Sequence, residues 1–135
     1  MDFSPYVLFE ELYNNFEAFR YIASSHRLSI RLLGLISAYE AQDNVVEILS
    51  PSRIDGLPCV LVDVSLLSEG FKRILAGDSG QDRLIQFIGA LSVCSTNRKV
   101  WMLRAVAHSF MDGVDLRAYE EVVRLTRPYA HAINF

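Results

Sequence analysis

The amino-acid sequence predicts an α/β fold: a small single-domain sheet with packed helices, spanning residues 1–135 and opening on an aromatic amphipathic helix. Three observations lead there. The run Pro58-Cys59-Val60-Leu61-Val62-Asp63-Val64-Ser65 is almost continuously apolar until an aspartate and a serine end it, as in a strand covered on both faces. Strand-like and helix-like stretches alternate around it. Within residues 1–25, Phe9, Leu12, Tyr13, Phe16 and Phe19 recur at three- and four-residue spacing, the wide apolar face of a helix. An all-α bundle is the alternative, because leucine, methionine and alanine fill several of the strand-like runs.

In chain order, Ser4-Pro5 supplies a helix start, and Glu10 and Glu11 suit the positive end of the helix dipole. That helix ends near Ser24-Ser25-His26. The run Arg27-Leu28-Ser29-Ile30-Arg31-Leu32 alternates polar and apolar, as a half-buried strand does. Asn44–Leu49 is a short apolar segment of either type, and Ser50-Pro51-Ser52 and Asp55-Gly56-Leu57-Pro58 are loops. After the central strand, Phe71, Ile74 and Leu75 mark a short helix, closed by Gly77-Asp78-Ser79-Gly80. Leu84, Phe87, Ile88 and Leu91 then give the face of another helix. Lys99–Val106 reads as a strand. Asp112 or Asp115 begins a last helix with Leu116, Tyr119, Val122 and Leu125 on one face, stopped by Pro128, and Ala130–Phe135 follows as an edge strand.

Half of the 135 residues are apolar, enough to fill a core and leave a surplus for an interface. No window reaches the roughly 18 uninterrupted apolar residues of a membrane span, and the acidic N-terminus is not a signal peptide, so cytoplasmic residence is expected. Cys59 and Cys94 lie far apart without paired spacing and read as buried thiols. The net charge is −3 and no basic stripe is present, which disfavours nucleic acid as a partner. His26, His108 and His131 lack ligand spacing, so no metal or other cofactor is expected.

From Cys59 to the C-terminus the layout resembles the STAS-like domains, the anti-sigma-factor antagonist type. Val62-Asp63-Val64-Ser65 matches that family's strand end and Ser68-Glu69-Gly70 its serine–glycine helix start. The resemblance, over residues 59–135, implies a protein-interaction domain switched by serine phosphorylation. Asp63, Ser65, Ser68 and Gly70 are then the candidate regulatory, phosphate-receiving site. A phosphate at Ser68 would meet the unpaired N–H groups of a helix start; the simpler role is a helix cap.

The expected function is that of a non-catalytic regulatory or adaptor domain acting through protein contacts. Its partners would be another protein and a second copy of itself, in a homodimer or other homo-oligomer. Phe9, Tyr13, Phe16 and Phe19 on the N-terminal helix are the candidate interface, since aromatic residues enrich at contact patches. Two alternatives stand beside it: a small-molecule binder or enzyme using Asp63 at the strand's carboxyl end, and a phage or plasmid assembly component.

Overall fold

The computed structural model describes residues 4–77 and 80–126. Strand β1 (Tyr6–Val7) leads into two short helices, α1 (Phe9–Asn14) and α2 (Phe16–Ser25), and then the long strand β2 (Ser29–Glu40). Strands β3 (Val45–Leu49) and β4 (Val60–Asp63) precede helix α3 (Glu69–Ala76). Strands β5 (Leu84–Val93) and β6 (Trp101–Phe110) and helix α4 (Leu116–Thr126) complete the order. The strands run β2-β3-β4-β6-β5, and β5 pairs back onto β2, so the sheet closes into a five-stranded barrel with β1 added parallel to β2.

Closure rests on β2. Its first half, Ser29–Leu35, pairs with β5, and its second half, Leu35–Glu40, pairs with β3. A register shift between Ile36 and Ala38 lies beside the point where the strand changes partner. Just before it, a Cβ on Gly34 would lie 2.6 Å from Ile48 Cδ1 and 3.0 Å from Ile48 Cβ, so a larger residue there would push the Ile48 side chain aside.

This barrel overturns both the α/β expectation and the all-α alternative. The segment expected to be a helix with Leu84, Phe87, Ile88 and Leu91 on one face is strand β5. Ile85, Phe87 and Leu91 are buried in the core, while Leu84 packs in a second cluster beside α4. A strand with apolar residues on both faces places them three and four apart, which imitates a helical stripe. The central strand exists, but as the four residues of β4, antiparallel to β3 and parallel to β6.

The N-terminal helix also differs from expectation. Ser4-Pro5 does not start it: Pro5 O accepts from Arg31 N, and the chain first pairs as β1. The helix starts at Phe9, with Glu11 Oε1 accepting from Leu8 N at 2.9 Å, and breaks at Asn15 (φ −121°, ψ 41°). The break lets α1 and α2 fold over one end of the barrel. Phe9, Leu12 and Phe19 are buried there. The Tyr13 hydroxyl donates to Cys59 O and accepts from Trp101 N, joining the starts of β4 and β6. Burial pushes the Tyr13 phenol up to about 12.

Helix α3 closes the opposite end with Phe71 and Leu75. On β6, Val106 is an extra residue: Ala105 faces Gly89 and Ala107 faces Ile88. This bulge re-phases the strand so that His108 stacks on Phe71 at 3.8 Å and Phe110 packs beside it. Both cysteines are free thiols, Cys94 buried and Cys59 half-buried. The expected edge strand Ala130–Phe135, Pro128 and His131 lie outside the described residues.

Candidate functional site

Two outward surfaces of the barrel can receive a partner. The first is the sheet face of β3, β4 and β6. Register sets Glu47 beside Leu61 and Leu61 beside Met102; Val45, Asp63 and Arg104 form the next row. The loop between β5 and β6 adds exposed Arg98 and Lys99 at one edge, and the β2–β3 turn adds Asp43 at the other. The surface is mixed in charge. Arg104 is exposed, whereas Glu47 accepts from the Ser37 hydroxyl at 2.9 Å and Asp63 Oδ1 accepts from Ser65 N at 2.9 Å.

Asp63, Ser65, Ser68 and Gly70 do come together at the carboxyl end of β4. Asp63 organises the turn, Ser65 is exposed, and Ser68 Oγ caps α3 by accepting from Phe71 N at 3.2 Å. Gly70 lies in the first turn of α3, with room for a Cβ that would approach only Ser68 Oγ, at 3.9 Å. Lys72 Nζ reaches Ser65 O and Glu69, so a cation already closes this turn. The aromatic set lies elsewhere: Phe9 and Phe19 are buried, and Tyr13 and Phe16 pack half-buried against the core, Phe16 with its ring 4.7 Å from Trp101. Among the described residues, no group of three or more His, Cys, Asp or Glu side chains could hold a metal ion.

The second surface is helix α4. Asp115 Oδ1 caps it by accepting from Arg117 N and Ala118 N. Tyr119 and Val123 are buried against Leu8 and Leu33. Ala118, Val122 and Leu125 lie on an adjoining side of the same helix, where Val122 is 50% and Leu125 72% exposed. A cleft of about 310 Å³ runs beside this stripe, between α4 and the outer side of β5, with Tyr6, Gln86, Met111 and Val114 among its lining. Sequence periodicity placed Leu116, Tyr119, Val122 and Leu125 on one face. The surplus of apolar residues was the signal that not all of them would be covered.

A closed five-stranded barrel, with a helix between its third and fourth strands and its first strand bridging both edges, is an OB-fold. Its outer sheet face is open and α4, the last described helix, leaves Val122 and Leu125 exposed; by class the molecule is an OB-fold protein. More particularly, the chain belongs to the Ten1 family of telomere-capping CST complex subunits, whose model matches residues 4–132. No curated protein matches it in sequence. Among solved structures it is similar to the S. pombe Stn1–Ten1 complex, at 14% identity over 94% of both chains with a TM-score of 0.59. It is also similar to yeast Stn1 and Ten1, at 12% identity over 98% of this chain and 76% of that one, TM-score 0.56. U. maydis replication protein A bound to ssDNA matches at 12% identity over 98% of this chain and 96% of that one, TM-score 0.52.

These findings correct the STAS-like resemblance, which rested on one strand end and one serine–glycine turn; the family model spans nearly the whole chain. A role in protein interaction fits the family. Net charge alone does not settle the expectation that nucleic acid is disfavoured as a partner: the U. maydis protein that shares this fold is itself solved with ssDNA. Cytoplasmic residence is likewise unsupported for a telomere-capping family. No described helix is long and apolar enough to cross a membrane.

Proposed function

We propose that this chain is a subunit of a nuclear telomere-capping complex, docking through α4 onto an Stn1-type partner. The observation that carries this reading is α4 itself. One side is buried on its own barrel, and an adjoining side leaves Val122 and Leu125 in solvent, where an isolated domain gains nothing from them. Helix-on-helix burial is the ordinary way to cover such a stripe. The S. pombe and yeast structures, which pair Stn1 with Ten1, support the partner's class.

The sheet face of β3, β4 and β6 adds a contribution to single-stranded DNA. Arg98, Lys99 and Arg104 offer phosphate contacts, while Glu47 and Asp63 on the same face oppose them, so the free subunit binds such DNA weakly. Among the described residues, that face carries no exposed aromatic platform for stacking bases.

The test is co-purification with an Stn1-type subunit of the same organism. The wild type forms a one-to-one complex, and Val122→Glu, folded as before, does not. A complex unaffected by Val122→Glu and Leu125→Glu together refutes docking through α4. Arg104→Glu is expected to weaken binding of the assembled complex to single-stranded DNA and to reduce its salt dependence.

A further inference from the structure

The cleft beside α4 is lined by a polar side chain that, among the described residues, has one hydrogen-bond partner. Gln86 projects from the outer side of β5, between Leu33 of β2 and Ser109 of β6, and is only 9% exposed. Its Oε1 accepts a hydrogen bond from the Tyr119 hydroxyl at 2.9 Å. That bond orients the amide and directs the Nε2 group away from Tyr119. Among the described residues, the side-chain hydrogen bond of Gln86 is this one from Tyr119, and the side chain lines the cleft. Buried amide donors are almost always paired, because leaving one without an acceptor forfeits its hydration.

The rest of the cleft is largely apolar: Met111, Val114, Ala118, Val122 and the rings of Tyr6 and Tyr119. The two rings meet edge to face, with centroids 6.1 Å apart. The carboxylate lining it is Asp115, held at the start of α4 by its bonds to Arg117 N and Ala118 N. A volume of about 310 Å³ is more than one water fills and accommodates a large side chain.

We propose that this cleft is the anchor pocket of the α4 interface, and that it takes a glutamine or asparagine side chain from the partner's docking helix. The anchor's aliphatic stem lies against Val122, Ala118 and Met111, and its amide oxygen accepts from Gln86 Nε2. A neutral acceptor fits better than a carboxylate, because the Asp115 charge stands on the same rim. A wholly apolar anchor would leave Nε2 buried without an acceptor. The inference rests on the docking of α4 proposed above, and adds to it which chemistry the partner presents.

The experiment compares three variants of the full chain against the Stn1-type subunit, by calorimetry and by the side-chain amide signals in nitrogen-15 NMR. Gln86→Glu keeps the shape and an acceptor for Tyr119 but removes the donor; it is expected to bind at least tenfold more weakly. Ala118→Met fills the mouth of the cleft without touching Gln86, and a comparable loss is expected. In the wild type, the Gln86 amide protons are expected to move downfield and exchange more slowly on complex formation.

Val122→Glu separates the two levels. If it leaves the complex intact even together with Leu125→Glu, the α4 interface itself is wrong. If it breaks the complex while Gln86→Glu and Ala118→Met bind as the wild type does, the interface stands and the anchor pocket is overturned. Gln86 amide signals that stay unchanged on binding also overturn it. So do signals in the free protein that shift on removal of residues 127–135, because the chain's own C-terminal segment would then be the occupant.

Discussion

Helices α1 and α2 and helix α4 spend the same kind of residue in opposite ways. The first pair turns Phe9, Leu12 and Phe19 fully inward and seals one end of the barrel, with Trp101 Nε1 donating to Leu12 O at 2.8 Å. Helix α4 lies on the outside and buries only Tyr119 and Val123, while Val122 and Leu125 stay in solvent. Phe9 and Phe19 of the aromatic segment thus lie in the core, whereas the aliphatic α4 keeps one side in solvent. Apolar density does not distinguish the two. What distinguishes them is whether the barrel offers an open end for the helix to fill.

The sharpest way to break the sealed end is Trp101→Ala. This side chain has no exposure, and its loss should lower unfolding free energy by about 3–5 kcal/mol, measured by urea denaturation. Next in size is Tyr13→Phe, which keeps the ring and removes the hydroxyl that bridges β4 and β6. It leaves Trp101 N–H without its acceptor, at a cost of about 1–3 kcal/mol in the same measurement. Val122→Glu should change monomer stability by less than about 0.5 kcal/mol, because the residue is half in solvent. If it destabilises the isolated subunit as much as Tyr13→Phe does, the contrast between a core helix and a docking helix fails.

The smallest effect concerns the opposite end. Burial against Phe71 holds the His108 imidazole below its ordinary value. The unfolded chain therefore takes up a proton first as pH falls. The native state should lose stability below an ordinary histidine's range of about 6.5, until the folded value is passed. His108→Phe should remove that step from a plot of melting temperature against pH.

Parts of this architecture were legible in the sequence. The polar–apolar alternation from Arg27 to Leu32 does mark β2, and the apolar run ending at Asp63 does mark β4. The Ser68 cap was readable from a serine ahead of an apolar helix face. Closure was not readable. It depends on β2 pairing at two edges and on the extra residue Val106, and neither leaves a local trace. β5 imitates a helix in sequence because apolar residues occupy both its faces. The open side of α4 was hidden for a related reason: Val122 and Val123 are equally apolar neighbours, and only the packed barrel decides which is covered.

The double duty of β2 also bears on how the chain reaches its native state. The second half of β2 can pair with β3 as soon as that strand is made, but its first half must find β5, three strands later in sequence, before the barrel closes. Such distant pairing slows folding into the range of milliseconds to about a second, because a long loop has to close before it is rewarded. During synthesis the ring stays open until β6 has emerged, with unpaired strand edges exposed to neighbouring chains. Early co-expression with a partner should therefore raise the yield of soluble protein more than partner added after synthesis.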